Sequence, residues 1–323
     1  MRILLLRGAV PSDRDPNEIL FDDIEKCDDI YTLLINKMSD PGDHSQVWYW
    51  NRPKGFRKAW ENDNIQLLYE VPQWKPIPDI IWSRGGFKEQ VKILNSYNTV
   101  PKVYYGAGIR FCPQDGVKYD LILVDSEYQK KKVQKKHPKT RVELWIKPAP
   151  DFFKPPDKYE PQFDVCFIAN GTQAVKGHDF VARTCPKDLF VMHLGFKSKV
   201  DKLPNVRRNR VLKRNMPSQI HRCKVGILPY DKNDSCPRAL VEMYACGLPI
   251  VALDTVRFWK EKYRGVLTPD KEHFWKTVRS AIECAEKARE PMIKYYSENL
   301  SMDAAAGYLK TLFQEVIDER RNH

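Results

Sequence analysis

Residues 226–254 read GILPYDKNDSCPRALVEMYACGLPIVALD. An apolar run ending at Leu228 breaks into a polar loop carrying Asp234 to Arg238, and a helix-like stretch from Ala239 to Cys246 follows, with Glu242 inside it. Gly247 and Pro249 close that helix and lead into a second apolar run, Ile250 to Leu253. Strand, loop, helix and strand in that order make one α/β unit. The start of its helix presents unsatisfied backbone N–H groups, which suit a phosphate.

The same alternation extends in both directions. Upstream, Phe163 to Ala169 and Leu189 to Leu194 are predicted strands, the first followed by the loop NGTQAVKGHD. A basic segment, VRRNRVLKRNM, precedes a short helix at Ser218 to Arg222. Downstream, Glu272 to Lys287 reads as a helix, and residues 301 to 320 as an amphipathic one with Ala304, Tyr308, Leu309, Leu312, Phe313 and Val316 on one face. The first half shows strands at Ile3 to Leu6, Ile65 to Tyr69, Ile80 to Trp82, Val103 to Tyr105 and Leu121 to Val124. The first strand runs into a loop at Arg7-Gly8-Ala9, a helix is predicted at Glu18 to Ile24, and Ser126 can cap another at Glu127 to Lys136. Between the halves lies VELWIKPAPDFFKPPDKYEPQ, whose five prolines suit a linker better than a core. The expected division is therefore an amino-terminal domain at 1–150, a second at 151–300, and a final helix at 301–323 packing back toward the first. Two Rossmann-like domains of this kind would open a cleft between the carboxyl ends of their sheets, where ligands should sit.

Composition sets the class. With 323 residues, 42% hydrophobic and 30% charged, the chain can bury a substantial core and is not a disordered one. No apolar run approaches the roughly 20 residues that span a bilayer, and MRILLLRGAV is too short and too soon interrupted for a signal peptide. A cytoplasmic protein is expected. The eight cysteines are scattered without a CxxC pair or a Cys/His cluster at zinc spacing, so reduced and mostly buried thiols are the simplest reading. Fifty-four Lys and Arg against 42 Asp and Glu give a net charge of +12, which favours a polyanionic partner such as nucleic acid or an acidic membrane face.

Three segments carry a family resemblance. Asp234, SCPRALV, Glu242 and then MYACGLPIVA resemble the acid, seven residues and glutamate, followed by a helix ending in Gly-x-Pro, of glycosyltransferase family 4. KGHDF, from Lys176 to Phe180, is similar to that family's Lys-Gly after the first strand of its donor domain. YDLILVDSEYQKKK with RVELWIKPAPDFFKPP resembles the segment that closes the acceptor domain. Together they span roughly residues 119 to 260 and imply an α/β GT-B fold. The resemblance implies transfer from a nucleotide-sugar, expected to be a UDP-sugar, with retention of configuration and without a metal or other cofactor.

Donor-binding residues follow position by position from that resemblance. The N–H groups of Ser235, Cys236, Pro237's successors Arg238 and Ala239, with the Lys176 ammonium, would hold the diphosphate; Glu242 would accept from ribose hydroxyls and Asp234 from the sugar. Gly8, Asn170, Gly171 and Gly177 line the same expected site. Asp234 stands where a glutamate is usual, and Asn170 where many relatives have a phosphate-binding arginine, for which Arg238, Lys213 and Lys224 are alternatives. Gly106 stands where many have a histidine after the strand at Val103 to Tyr105. Asp115 is the candidate for that catalytic polar role. The Asp13-Arg14-Asp15 pattern fits helix capping better than metal binding.

The acceptor is read from charge and aromatics. WYWNRPKGFRKAW at 48–60 interleaves rings with cations, so Trp48, Trp50 and Arg52, together with Arg84 and Arg110, are acceptor-side candidates. A partly buried aromatic cluster with snorkelling basic residues fits the same stretch. KKKVQKKHPKTR, from Lys130 to Arg141, reads as a DNA-backbone track, a membrane-surface patch or a solvated helix face. The preferred expectation is a glycosyltransferase acting on hydroxymethylated bases in DNA. A peripheral membrane enzyme with a lipid-linked acceptor and a non-catalytic nucleic-acid-binding protein are the alternatives.

Overall fold

Five consecutive residues, ILLLR, form β1 (Ile3–Arg7), and Ile3 to Leu6 are buried because a parallel strand covered on both faces reads as an unbroken apolar run. The computed structural model describes residues 1–7, 30–40, 43, 45–51, 55–61, 77–84, 88–106, 113–169, 174–230 and 236–322. The predicted strand at Ile65 to Tyr69, the helix at Glu18 to Ile24 and the Asp13-Arg14-Asp15 pattern lie outside them. After β1 come α1 (Ile30–Met38), β2 (Gln46–Asn51), β3 (Gly55–Glu61), β4 (Ile80–Ser83), α2 (Lys88–Ser96) and β5 (Lys102–Gly106). Then follow β6 (Leu121–Val124), α3 (Glu127–Lys136) and β7 (Arg141–Leu144). Their sheet has the order β3-β2-β1-β4-β5-β6-β7, parallel throughout except for the antiparallel pair β2 and β3.

That hairpin contains most of residues 48–60. Trp48 and Trp50 are strand residues of β2, which pairs with β1 in the register Leu6↔Trp48, and β3 forms the sheet edge. Alternation of aromatic and basic residues is a strand pattern as well as a binding pattern, and pairing with β1 shows the strand. Arg52 lies outside the described residues.

Just before β4, Asp79 accepts hydrogen bonds from the Arg2 backbone N–H at 2.8 Å and from its guanidinium at 3.0 Å, tying the starts of β1 and β4 together. Burial alone would raise the Asp79 pKa, but the side-chain and backbone hydrogen bonds from Arg2 outweigh it and hold the carboxyl below its ordinary range. A carboxylate whose pKa is lowered on folding contributes stability above its unfolded pKa and loses it as pH falls through the folded one. Asp79→Asn is expected to cost about 1 kcal/mol at neutral pH, Arg2 being partly exposed. Urea unfolding should show the gap closing in acid.

The second sheet contains β8 (Phe163–Ile168), β9 (Val191–Leu194), β10 (Val206–Asn209), β11 (Cys223–Leu228) and β12 (Ile250–Ala252) in the all-parallel order β10-β9-β8-β11-β12. Between and after them lie α4 (His178–Thr184), α5 (Met216–Ile220), α6 (Arg238–Ala245), α7 (Phe274–Glu283) and α8 (Ala285–Asn299). The helix expected at Glu272 to Lys287 is two helices, because Cys284, at φ −99° and ψ 0°, leaves helical geometry between α7 and α8. The chain ends its described course in α9 (Met302–Arg321).

Two compact units result: Met1–Pro150 with Met302–His323, and Asp151–Ser301. Within the first, α9 buries Met302, Ala305, Ala306, Leu309, Leu312, Phe313, Val316 and Ile317, a stripe at three- and four-residue spacing. Tyr308, expected on that face, is 42% exposed, and the stripe runs through Ala305 and Ala306 instead. Trp82 centres this core, its ring meeting Tyr31 at 5.4 Å, Trp145 at 5.6 Å and Phe313 at 5.6 Å, all edge-on. Among the described residues, no helix is long and apolar enough to cross a membrane.

Candidate functional site

In the second unit, the strand order reverses between β8 and β11, so the connections leaving these neighbours run to opposite sides and open a crevice at their carboxyl ends. From the β8 side come Lys176 and Gly177. Gly177 has φ +77° and begins α4, and a Cβ there would lie 1.8 Å from the Pro229 carbonyl oxygen, just past β11. Only a glycine allows the two segments to approach so closely. Next to this contact, the Lys176 ammonium lies 4.3 Å from the centroid of the buried Tyr230 ring, a cation–π distance. Thr255 Oγ1 donates to the Tyr230 carbonyl and holds that residue from the β12 side.

From the β11 side comes α6, which starts at Arg238 after Pro237 in extended conformation. Ala239 to Ala245 are all buried, so apolar residues surround the helix and fix its direction. Its far end closes with Gly247 at φ +72°, whose N–H donates to Tyr244 O at 2.9 Å while Leu248 N–H donates to Met243 O at 3.0 Å. The amino end therefore faces the crevice with its first-turn N–H groups. Glu242, one turn in, is 5% exposed. Its Oε1 lies 3.6 Å from Lys213 Nζ and 3.7 Å from Arg238 Nη2.

A buried carboxylate requires such compensation. Both separations exceed the roughly 2.7–2.9 Å of a charge-assisted hydrogen bond, so the cations balance the Glu242 charge without clamping it. Burial first, and then the Glu242 charge, pushes the Cys246 thiol well above its ordinary range. Cys236 Sγ sits 3.4 Å from Tyr263 OH, whose phenol is likewise pushed up by burial and by Cys236. Neither thiol has the electropositive, exposed setting of a nucleophile.

Lys176 and Gly177 thus lie against the chain just past β11, while Pro237, Arg238, Ala239 and Glu242 start the helix that follows the same strand, with Cys236 against Tyr263. Asn170, Gly171, Asp234 and Ser235 lie outside the described residues. Of the three cations considered in place of an arginine at 170, Arg238 and Lys213 flank Glu242. Lys224 is at the opposite end of β11 and pairs with Asp164 at 2.9 Å. His193 was missed in the sequence. Fully buried, it bonds Asp201 through Nδ1 at 2.6 Å and the Ala169 carbonyl through Nε2 at 3.2 Å, bracing the chain as it leaves β8. Its position at a strand end was the only available signal.

In the first unit, Arg84 follows β4 at the carboxyl edge, while Gly8 and Arg110 lie outside the described residues. Asp115 is not brought to that edge. It is exposed on a turn and pairs with Lys136, the last residue of α3, at 3.2 Å. A helix joining parallel β6 to β7 runs back against the strands, so its last residue marks the end of the sheet away from Gly106. The carboxylate beside Gly106 is Asp125 instead, 5% exposed, immediately past β6 in the register Gly106↔Val124. Its backbone N–H donates to Gln129 Oε1 at 3.2 Å, and Gln129 Nε2 donates to the Gly106 carbonyl at 2.7 Å, fastening the two strand ends. The Asp-Ser step after LILV could have flagged it.

No protein-family model matches the sequence, and no curated protein matches it. Solved structures do. A glycosyltransferase from Rickettsia africae aligns over 98% of this chain and 99% of its own, with a TM-score of 0.70 at 10% identity. An Anabaena protein, HepE, in complex with UDP aligns over 98% and 100%, with a TM-score of 0.61 at 14% identity. The DNA modifying enzyme beta-glucosyltransferase, solved with and without uridine diphosphoglucose, aligns over 100% and 99%, with a TM-score of 0.54 at 11% identity. The fold of this chain is accordingly α/β, the GT-B fold of these structures.

Proposed function

We propose that this protein is a glycosyltransferase that takes its sugar from a UDP-sugar, with Asp151–Ser301 as the donor unit. The observation that supports the reading is the Lys176 ammonium against the Tyr230 ring just past β11, the strand that leads on to α6 and its buried Glu242. The ammonium and the helix N–H groups suit a diphosphate, and a buried carboxylate one turn in suits vicinal ribose hydroxyls. As the glycosidic bond breaks, charge develops on the departing nucleotide while the sugar becomes oxocarbenium-like. Lys176 and the α6 N–H groups would stabilise that leaving anion electrostatically. Retention of configuration and independence from a metal belong to the same reading. Asp125, beside Gly106, is the carboxylate we assign to the acceptor side of the reaction in place of Asp115.

For the acceptor we propose DNA carrying hydroxymethylated bases. A net charge of +12, the exposed Lys131 and Lys135 on α3, and the fold shared with a DNA-modifying glucosyltransferase support it. Such an enzyme must draw a base out of the stack.

Measuring UDP release from UDP-sugars, with and without hydroxymethylated duplex, tests both halves. Lys176→Ala is expected to weaken UDP binding by about 10- to 100-fold, the effect of about 1.5–3 kcal/mol of charge-assisted contact. UDP affinity equal to that of the unaltered protein would remove the donor assignment. Duplex affinity should fall steeply with salt. Tight sedimentation with anionic vesicles and no duplex binding would replace DNA by a membrane acceptor.

A further inference from the structure

The second sheet ends at β10, and among the described residues no strand pairs with its outer side. Residues 195–214, from the end of β9 through β10, hold eight Lys and Arg against one Asp, a net +7 in a chain of +12. The register fixes where they stand. Arg208 is opposite His193, and its Nε lies 3.9 Å from Asp201 Oδ2, on the side of the 3-10 turn Lys199–Lys202. Successive strand residues point to opposite faces, so Arg207, also exposed, stands on the other. Asp201 is already engaged, with His193 Nδ1 at 2.6 Å and with the Ser198 N–H at 2.6 Å. Toward the carboxyl end, the Arg210 guanidinium carbon lies 4.4 Å from the centroid of Phe196, a ring 44% exposed just past β9. Leu212 is 77% exposed, and Lys213 brings the run to within 3.6 Å of Glu242.

We propose that this rim of the second sheet, from Lys197 to Arg210, seats the sugar-phosphate backbone of duplex DNA. The proposal rests on the reading of the acceptor as DNA. Among the described residues, Lys197, Lys202, Arg207 and Arg210 form no ion pair, whereas on α3 Lys130 and Lys136 pair with Glu143 and Asp115. These cations need not converge on one point, because a duplex carries a charge about every 1.7 Å of its axis and offers its phosphates in series. Shape favours a duplex over a lipid surface. A rim with a cation on each face is a ridge, which suits a groove about 12 Å wide between two phosphate strands, while a flat bilayer meets one face at a time. Phe196 and Leu212 add the ring and the apolar contact that a merely solvated patch lacks. Through Lys213 the rim continues to Glu242, so a duplex held there lies beside the donor.

Fluorescence anisotropy of the full chain on a hydroxymethylated duplex, over a series of salt concentrations, tests the surface. The triple variant Lys197→Gln, Lys202→Gln, Arg207→Gln should weaken duplex binding by about tenfold or more. It should also lower the slope of log affinity against log salt by about three, one per lost phosphate contact, with UDP affinity and melting temperature unchanged. A second triple, Lys271→Gln, Lys276→Gln, Lys287→Gln, removes the same charge from exposed positions elsewhere on the unit and should keep the slope. A tight duplex complex whose slope the first triple leaves unchanged, or an equal loss in both triples, would overturn the inference and leave the DNA reading in place. Loss of binding to phosphatidylserine–phosphatidylcholine vesicles, with duplex binding retained, would overturn it in favour of a membrane. Failure of the unaltered protein to bind duplex at all would remove the DNA acceptor and this surface with it, while UDP titration of the same sample reports separately on the donor reading.

Discussion

Glu242→Ala should lower kcat/KM for the sugar donor by about 10²- to 10³-fold and leave the fold nearly as stable as before. The first half follows from removing a buried, charged acceptor of hydroxyl hydrogen bonds, worth about 3–4 kcal/mol when its partners are desolvated. The second half follows from its neighbours. Lys213 and Arg238 keep 47% and 33% of their side-chain surface in water, so solvent can take over when the carboxylate is lost. Glu242→Gln retains shape and an acceptor oxygen but loses charge, and an effect near tenfold is expected. Steady-state kinetics with a UDP-sugar, paired with thermal melts, separates the two effects. An Ala variant with the unaltered protein's UDP affinity would show that Glu242 serves the fold alone.

Gly177→Ala should be the more damaging change. A non-glycine residue in the left-handed region costs about 1–2 kcal/mol. Here the added methyl also meets a backbone oxygen, Pro229 O, at 1.8 Å, which no side-chain rotation can relieve. Overpacking against backbone adds about 1–3 kcal/mol. The sum, about 2–5 kcal/mol, corresponds to roughly 10 °C in the melting temperature of a unit this size. Since relief requires β8's exit to move away from Pro229, Lys176 would leave the Tyr230 ring and donor binding should fall together with stability. A variant that melts normally and binds UDP would show that the segments can separate freely.

The second sheet was largely readable from sequence because each strand, loop and helix there announces itself locally. GILPY followed by a Pro-capped apolar helix and Gly-Leu-Pro admits one order of elements, and the Schellman closure at Gly247 needs no distant residue. Residues 46–61 were harder. Their alternation was visible, but rings set between lysines and arginines fit a binding surface as well as a strand, and only pairing with β1 shows an edge hairpin. The split at Cys284 has no proline or glycine to mark it. Contacts assembled across the sheet were invisible for a topological reason. Arg84 and Lys147 leave strands separated by two others, and their contacts with the Tyr31 ring depend on a helix that precedes both. Asp115 and Asp125 show the same limit on a smaller scale: ten residues apart in sequence, they belong to opposite ends of one sheet.

The closing helix of the first unit also sets a schedule for biosynthesis. Phe313 fills one side of Trp82, yet it is translated only after the whole of Asp151–Ser301. At about 5–20 residues per second, the nascent amino-terminal unit waits roughly ten to thirty seconds with its tryptophan-rich interior uncovered. The intervening unit, complete within one continuous stretch of chain, can finish first. Newly made chains should therefore depend on chaperones that shield apolar surface during that interval, and synonymous codons that slow translation between 151 and 301 should lengthen the exposure and lower the soluble yield.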